Sequence, residues 1–521
     1  IRDRCYLSVQ QFIDLKHYDP ERARIVATKV HTPPQACGKI FAKLEPGIAV
    51  AYHTFNDFNV APGIIAGIRE SYDGPLTLAD DMLVWNINEK GIRVRRVIAT
   101  DEPLPASPPQ PAGPPDRSER TARSKWLDGE WSLPVQARRE FVSLHHAAVE
   151  RGAPEARWMR GGFWRQFQVN YREINDLHKQ MLRTSRAVEA AADGGLDEAA
   201  LAGIRDHLYQ GQSNDCYWHG LFGGIYISHM RLATLEHLIA AEDAADRAGG
   251  LSDVRIQTAD LDVDGFDELL VSAPGQVVAL KPNEGGGIGS WDARASRHAL
   301  TSVMRRREEA YHDTLREADS GEVEQQEAGE GAVSIHDLVK VNEPGISQRL
   351  WYDAYERRSG LVHIMPVGTT AEAFEQASFE ELGDFVAGEF EVTQAEGDTV
   401  VLERDGGVLQ PNGSRAPLRV RKEHVFGSDR RVPTLDLGVT VTNTGDQPVE
   451  ALLGVEFSLN MLGGGGNPSA WYKVNGETGG FDQRKIVDST DHVALGNDYI
   501  GIELESRPTP VAAAWWWSIE T

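Results

Sequence analysis

One segment of the chain crowds together the residue types that bind sugars. It runs from Gln212 to Gly220 and contains Asp215, Trp218 and His219 beside glycine. An indole face covers the apolar C–H side of a sugar ring, while carboxylate and imidazole groups form hydrogen bonds with its hydroxyls. The segment therefore predicts a contact surface for a neutral sugar. The alternative is a buried aromatic turn between two helices, because polar groups are commonly satisfied within a structure.

A second segment, residues 157–167, combines arginines with aromatic rings, and its candidate site residues are Arg160 and Trp164. Guanidinium groups stack on aromatic rings and form forked hydrogen bonds with carboxylates, so this segment could frame an acidic catalytic residue. From the residue types alone, an Arg–Trp loop that locks a helical bundle is the favoured explanation.

Carboxylates alternate along a third segment, where Asp260, Asp262 and Asp264 precede Gly265. Oxygen ligands at alternate positions with a central glycine are typical of calcium loops. The spacing to Glu268 is too short for an EF-hand, and an Asp-rich β-turn is the simpler explanation. Calcium at these three aspartates stays the alternative.

The composition excludes some function classes. Hydrophobic residues are 41% and charged residues 25%, which is ordinary for a globular protein, and the formal net charge is −25. So acidic a surface repels phosphate backbones and disfavours nucleic acid as a partner, but it leaves neutral sugars open. No stretch approaches the roughly 20 apolar residues of a membrane span, and no signal peptide opens the chain, so we expect no membrane partner.

The cysteines predict the cellular compartment of the protein, and the chain ends predict whether the sequence is a fragment. Cys5, Cys37 and Cys216 lie far apart without CxxC spacing, which is typical of reduced thiols and predicts a cytoplasmic protein. The chain starts at Ile1 and stops shortly after three consecutive tryptophans, which normally need a packing partner. We therefore expect a fragment that is cut at both ends. The oligomeric state stays open.

The elements that would position these residues fall into four regions. Seven prolines in the thirteen positions of Pro103–Pro115 predict an extended linker over residues 101–123. Before it, apolar runs predict a partial α/β unit over residues 1–100, with a helix at 36–44, strands at 47–52 and 82–87, and a helical turn at 64–70.

After the linker the apolar periodicity becomes helical. Ile174, Leu177 and Met181 share one face of a helix, and Asp197 is placed to cap the next helix. With a third helix near 230–244, this predicts a helical bundle over residues 124–250.

From Val254 onward, short alternating strands predict a large antiparallel β-sandwich over residues 251–521, truncated at the C terminus. A helix near 302–317 and an acidic loop at 319–331, which we expect to be disordered, interrupt it. The predicted fold class is multidomain α+β: a partial α/β unit, then the bundle, then the sandwich.

The order of these segments resembles glycoside hydrolase family 57, and most closely its α-amylase and 4-α-glucanotransferase branch. The resemblance covers residues 124–521, and the specific segments are 157–167 and 212–231, with Asn170 and Leu177–Leu182 between them. Glu130–Pro134 is similar to the stretch that ends the family's catalytic barrel. Stretches similar to the family's sandwich are Asp262–Gly265, Gly285–Ile288, Arg305–His312, Ser334–Asp337 and Glu456–Asn460.

The resemblance implies a protein that cleaves or transfers α-1,4-glucan chains, with an α-glucan or maltooligosaccharide as its partner. In the family, a glutamate nucleophile and an aspartate acid/base act by the retaining route, about 5–5.5 Å apart, and this chemistry needs no cofactor. Both carboxylates belong to a barrel upstream of the stretch that Glu130 opens, and no such pair is found before Glu130 here. We therefore expect no catalytic residue in this chain. The resemblance implies substrate contact for Asp215, Trp218 and His219, with Arg160 and Trp164 as further candidates.

Residues 1–100 resemble the C-terminal end of a metallo-β-lactamase-fold hydrolase. The segments that carry this resemblance are 30–34, 51–57, 72–81 and 84–86. His53, at the end of an apolar strand, matches the last metal-binding histidine of that fold, although a histidine taken alone is more often structural. The HxHxDH motif is missing, so zinc at His53 would need the complete parent fold. Two alternatives therefore remain: a non-catalytic α-glucan-binding fragment and a fragment of a metal-dependent hydrolase.

Overall fold

The computed structural model describes residues 2–4, 20–25, 32–52, 61–79, 83–88, 91–96, 130–218, 224–320, 345–482 and 484–519. The chain divides into two compact units, one formed by residues 1–111 and 320–342 and the other by residues 112–319 and 343–521. Helices are combined with mainly antiparallel sheets, which confirms the predicted α+β class.

The first unit is a small α/β fold. Its described elements are β1 (Arg2–Arg4), α1 (Pro20–Ile25), α2 (Pro34–Leu44), β2 (Ala49–Tyr52), α3 (Ala61–Arg69), β3 (Leu76–Leu78), β4 (Leu83–Asn88) and β5 (Gly91–Arg96). Strands β1, β2 and β3 form a parallel sheet, and β4 pairs antiparallel with β5. Phe41 of α2 and Ile64 and Ile68 of α3 bury against Ala49 and Ala51 of β2, so apolar spacing along both helices builds the core.

The second unit begins with helices. They are α4 (Val135–Glu150), α5 (Trp164–Asn170), α6 (Arg172–Asp193), α7 (Glu198–Gly211), α8 (Ser228–Ala248), α9 (His312–Ser320) and α10 (Ala371–Glu375). Short 3₁₀ turns cover Pro154–Trp158, Asn214–Cys216, Gly224–Tyr226, Ile346–Arg349 and Gly464–Gly466. Helices α6, α7 and α8 pack together, and the predicted apolar stripe of α6 is buried at Ile174 and Leu177.

Antiparallel strands make up most of the rest of this unit. They are β6 (Arg255–Ala259), β7 (Glu268–Ser272), β8 (Gln276–Lys281), β9 (Gly287–Ala293), β10 (His298–Ala299), β11 (Leu361–Met365), β12 (Glu391–Glu396), β13 (Thr399–Leu409), β14 (Arg415–Phe426), β15 (Leu435–Asn443), β16 (Leu452–Glu456), β17 (Ala470–Val474), β18 (Glu477–Gly479), β19 (Lys485–Thr490), β20 (Val493–Asn497), β21 (Ile502–Ser506) and β22 (Ala512–Trp516).

Two of the sheets share one apolar core. The five-stranded sheet β10–β9–β8–β7–β6 and the four-stranded sheet β12–β13–β14–β15 bury their facing side chains together, with the pair β11–β16 beside them. Gly285 is required at the turn before β9, because its φ is +70° and an added Cβ would lie 2.0 Å from the carbonyl oxygen of Val386.

The tryptophans near the C terminus have packing partners. Strand β22 pairs antiparallel with β19, which places Trp515 and Trp516 in a ladder. The ring of Trp516 lies 5.0 Å from that of Tyr472, and the ring of Trp517 lies 5.9 Å from that of Phe374. The requirement for a packing partner, inferred from the sequence, is met inside the chain.

One predicted helix is wrong over most of its length. The chain is helical only over His312–Ser320, whereas residues 302–310 are irregular. Carboxylates take the backbone N–H groups that a helix would use: Arg305 N donates to Glu173 at 2.8 Å, and Arg306 N donates to Asp353 at 2.8 Å. Because these partners are distant in sequence, the local pattern did not reveal them.

Two predicted segments lie largely outside the residues that the structure describes. The proline-rich linker lies outside the described residues, as does nearly all of the acidic loop at 319–331. Within the described part of the chain, no helix has both the length and the apolar character needed to cross a membrane.

Candidate functional site

A hydrogen bond joins the two segments that the sequence singled out. Trp164 opens α5, and its indole Nε1 donates to the backbone oxygen of Tyr217 at 3.0 Å. Tyr217 directly follows the 3₁₀ turn that carries Asp215. The Arg–Trp segment and the Asp–Trp segment therefore form one surface of the bundle, although these two residues are separated by 53 positions.

Aromatic rings pack against one another where these two segments meet. The imidazole of His178, on α6, lies edge-on to Trp164 at 4.7 Å and to Tyr217 at 6.2 Å between ring centroids. Burial, with the nearby charge of Lys179, lowers the pKa of His178, so this ring is neutral at pH 7. Burial raises the pKa of Tyr217, whose hydroxyl stays protonated and donates to the carbonyl of Gly211.

The predicted sugar-contacting residues differ in exposure. Asp215 is exposed, so its carboxylate is open to a ligand. Trp218 is half-buried and packs against the bundle core. Its indole nitrogen is buried and has no hydrogen-bond partner among the residues that the structure describes, so the accessible part of this residue does not include the N–H group. His219 lies outside the described residues.

Three aromatic side chains of the Arg–Trp segment are exposed, whereas a loop that only locks the bundle would bury them. Trp164 is 43% exposed, and Trp158 and Phe163 are 65% and 78% exposed. Arg160 is half-buried and donates from Nη1 to the backbone oxygen of Met159 at 3.0 Å. An aromatic patch of this kind on a surface is typical of a binding site.

Hydrogen bonds anchor the residues on either side of the loop that follows Trp218. Ile225 N donates to the backbone oxygen of Trp218 at 3.1 Å. The next residue, Tyr226, donates its hydroxyl to Oε1 of Glu309 at 2.8 Å, and Tyr171 donates to the same oxygen at 2.8 Å. Burial raises the pKa of Glu309. Tyr226 is therefore fixed to the segment between β10 and α9.

Sequence reasoning missed Glu309 and Glu173 as positioning residues. Glu173 accepts two hydrogen bonds from Nη2 of Arg307, at 2.8 and 3.0 Å, and Arg307 lies over the ring of Tyr171. The run Arg305–Arg307 is one of the segments that resemble the family, and arginine is the residue preferred in buried ion pairs, so buried carboxylates could have been expected nearby. Their identity could not be read without the fold.

The aspartates predicted to bind calcium lie in a different loop of the second unit. Asp260, Asp262 and Asp264 occupy the loop between β6 and β7, where Asp262 is buried and the other two are exposed. Glu268, which the sequence left outside the ligand set, joins Asp260 and Asp262 in one group of carboxylates. His53 lies outside the described residues, and zinc there stays a prediction.

Comparison with known protein families matches most of the second unit. Residues 162–245 match the middle domain of the alpha-amylase/4-alpha-glucanotransferase family, and residues 260–521 match its C-terminal domain. The chain belongs to this family. The segments that carry Trp164, Asp215 and Trp218 lie within the match to the middle domain, whereas the resemblance of residues 1–100 to a metallo-β-lactamase fold stays a prediction.

Individual relatives agree with the family match. The chain is 30% identical to "Alpha-amylase 1" of Dictyoglomus thermophilum over 75% of this chain and 54% of the relative. It is 30% identical to a "4-alpha-glucanotransferase" of Thermococcus kodakarensis over 75% of this chain and 52% of the relative. A crystal structure of 4-alpha-glucanotransferase from Thermococcus litoralis aligns with a TM-score of 0.58 and 26% identity, over 75% of this chain and 53% of that chain. The chain therefore spans about half the length of the curated relatives that it matches.

Proposed function

We propose that the second unit binds α-glucan chains, and that the bundle surface around Asp215, Trp218 and Trp164 contacts the sugar rings. The observation that carries the proposal is the hydrogen bond from Trp164 to Tyr217, which brings both sugar-binding motifs to one surface. Family membership supports it, because the curated relatives are named as an alpha-amylase and a 4-alpha-glucanotransferase. Arg160 and His219 are further candidates for contact.

The chemistry of this surface suits a neutral oligosaccharide. Trp218 offers ring carbon, on which the C–H face of a glucose unit packs, and Asp215 offers two acceptor oxygens to a pair of hydroxyls. Exposed Trp164 extends the aromatic surface. Because burial lowers the pKa of His178, this imidazole adds no positive charge to the surface at pH 7.

Binding without bond cleavage is the finer part of the proposal. The retaining reaction needs two carboxylates about 5–5.5 Å apart, one as nucleophile and one as acid/base. The motifs of this chain resemble the parts of the family that follow its catalytic barrel, and the residues proposed here position the substrate. The complete enzyme would be a hydrolase or glucanotransferase in which this unit forms one wall of the cleft.

Titration calorimetry with maltoheptaose tests the binding. We expect one set of sites, with Trp218→Ala and Asp215→Asn each weakening the affinity by about tenfold, which corresponds to roughly 1.4 kcal/mol. Asp193→Asn is the matched control, because it removes an exposed aspartate at the end of α6 and should leave the affinity unchanged. An absence of heat at millimolar maltoheptaose with the folded chain would remove the proposal.

A turnover assay tests the finer part separately. The purified chain is incubated with maltoheptaose or starch, and reducing ends and transfer products are measured. We expect neither to accumulate above the buffer blank. Robust turnover by the wild-type chain would contradict the assignment of a purely positioning role, while leaving the binding surface in place.

A further inference from the structure

A loop of carboxylates joins β6 to β7, remote in sequence from the sugar-contact segments. The ladder closes with Ala259 opposite Glu268, so the intervening residues protrude as a hairpin loop. One carboxylate oxygen from each of Asp260, Asp262 and Glu268 lies within 4.8 Å of the other two. Asp262 is 6% exposed and Glu268 is fully buried, so two of the three side chains are shielded from bulk water.

Two of the buried oxygens have no partner within the described structure. Glu268 accepts from the backbone N–H groups of Leu261 and Asp262 through Oε2, at 2.7 and 3.3 Å, which leaves Oε1 unpaired. Asp262 uses Oδ2 for Lys281 and leaves Oδ1 unpaired. An unpaired carboxylate oxygen inside a protein is costly, so each of these atoms calls for a cation or a donor.

The neighbouring cations are committed to other oxygens. Lys281 Nζ contacts Asp262 Oδ2 at 2.5 Å, Asp176 at 3.0 Å and Glu284 at 3.6 Å. Arg358 and Arg172 pair with Asp176 and Glu284. The carboxylates of this region are Asp176, Asp260, Asp262, Asp264, Glu268 and Glu284. Across the described residues, the ion pairs of this set come from Lys281, Arg172 and Arg358 alone. Lys179 also lines the adjoining cavity and donates to Oδ1 of Asn175 at 2.9 Å, while Arg183 pairs with Glu242, so the carboxylates of the region still outnumber its cations.

Room for solvent lies beside the residues that carry the unpaired oxygens. A cavity of about 40 Å³ is lined by Asp262 and Glu268, by the cationic side chains of Lys179, Arg183 and Lys281, and by further residues of α6 and β8. Because a single water needs about 10–15 Å³, the cavity can hold the waters that complete a coordination shell.

We propose that the β6–β7 loop binds one calcium ion through the carboxylates of Asp260, Asp262 and Glu268, with waters from the adjoining cavity as further ligands. Calcium accepts six to eight oxygen ligands in flexible geometry, which an irregular loop can supply, whereas magnesium demands a near-ideal octahedron. The ion would fill the gap at Asp262 Oδ1 and Glu268 Oε1 that the protein's own cations leave open.

The bound ion would also stabilise the contact between this sheet and the bundle. Asn175, on α6, donates from Nδ2 to the backbone oxygen of Asp262 at 2.7 Å. Fixing the loop therefore fixes one anchor of α6, the helix that carries His178. Ligand binding to the native state alone raises its stability in proportion to the logarithm of ligand concentration over Kd.

Calcium titration of the EDTA-treated chain tests this site. We expect calorimetry with CaCl₂ at neutral pH to give one ion per chain, with a rise in Tm that EDTA reverses. Glu268→Gln keeps the shape of the side chain and should abolish both the binding and the rise in Tm. Asp267→Asn is the matched control, because it removes an exposed carboxylate of the same loop that lies outside the ligand group, and it should retain both effects.

Two results would overturn the proposal: no binding at millimolar CaCl₂ by the folded wild-type chain, or binding by Glu268→Gln equal to that of the wild type. An equal response to MgCl₂ at equal concentration would overturn the assignment to calcium. If Glu268→Gln does not fold, Asp260→Asn serves in its place, since this ligand is exposed and its substitution leaves the core intact.

Discussion

His363, on β11, is buried between two glutamates. Its Nδ1 lies 2.8 Å from Oε2 of Glu381, and its Nε2 lies 3.0 Å from Oε2 of Glu456. Both contacts are hydrogen bonds only when the two ring nitrogens carry protons, so the geometry selects the imidazolium ion. Burial opposes that charge, but the hydrogen bonds to the two glutamates outweigh it and raise the pKa of His363.

The raised pKa of His363 predicts a loss of stability on the alkaline side. The contribution is complete below the unfolded pKa of about 6.5 and is lost as the pH rises through the higher folded pKa. We expect the free energy of unfolding of the wild type to fall as the pH rises above about 6.5, and that of His363→Gln to fall less. Denaturant titrations across this range measure the difference. The exposed His146→Gln control should keep the wild-type slope, and an identical slope in His363→Gln would refute the prediction.

At the same scale, the sequence revealed the candidate residues but not their partners. Asp215, Trp218 and Trp164 could be selected because their side-chain chemistry is local information. The contact between Trp164 and Tyr217 could not be selected, because it depends on how α5 docks beside a turn 53 residues later. Glu309 was missed for the same reason, since its role arises only when Tyr171 and Tyr226 converge on one oxygen.

At the scale of elements, prediction succeeded wherever local periodicity dominates. The stripe of α6 and alternating strands such as β15 follow the predicted pattern, because burial of one face leaves a repeat in the sequence. The predicted helix does not form over 302–310, because the backbone N–H groups of Arg305 and Arg306 donate to Glu173 and Asp353 instead of to helical backbone carbonyls. Tertiary hydrogen bonds can thus override helical periodicity, and no pattern within the segment records them.

The N-terminus of α7 gives a test at this scale. Asp197 precedes the helix, and its Oδ1 accepts from the backbone N–H of Ala200 at 3.0 Å, so it satisfies a donor that has no partner within the helix. Asp197→Ala should lower the free energy of unfolding by about 1 kcal/mol, measured by urea titration. Asp193→Ala removes the carboxylate of the last residue of α6. It should change the free energy of unfolding little or raise it, because a negative charge near a helix C-terminus is unfavourable. Equal losses in both variants would contradict the capping role.

At the scale of the second unit, ion pairs that are partly or largely buried tie the helices to the segments that connect the strands. Asp243, on α8, pairs with Arg430, in the connection between β14 and β15, at 2.7 Å. Glu173, on α6, pairs with Arg307, which follows β10, at 2.8 Å. Breaking one partner of a buried pair is far more costly than the pair is stabilising, because the remaining charge stays desolvated. Opening either layer would therefore leave a poorly solvated charge in the other without its partner.

This coupling predicts that α8 and β14 unfold together. Native-state amide exchange should give peptides from the middle of α8 and from the middle of β14 the same opening free energy in the wild type. Glu173→Gln removes the nearer counter-charge of the Arg307 guanidinium and leaves only Glu356, at 3.9 Å, so it should lower both values equally, by roughly 3 kcal/mol. Glu150→Gln, at an exposed position near the end of α4, is the matched control and should leave both unchanged. If Glu173→Gln accelerated exchange in the helical peptides alone, the bundle and the sheets would be separate cooperative units, and the ion pairs would be contacts between them without a role in their common stability.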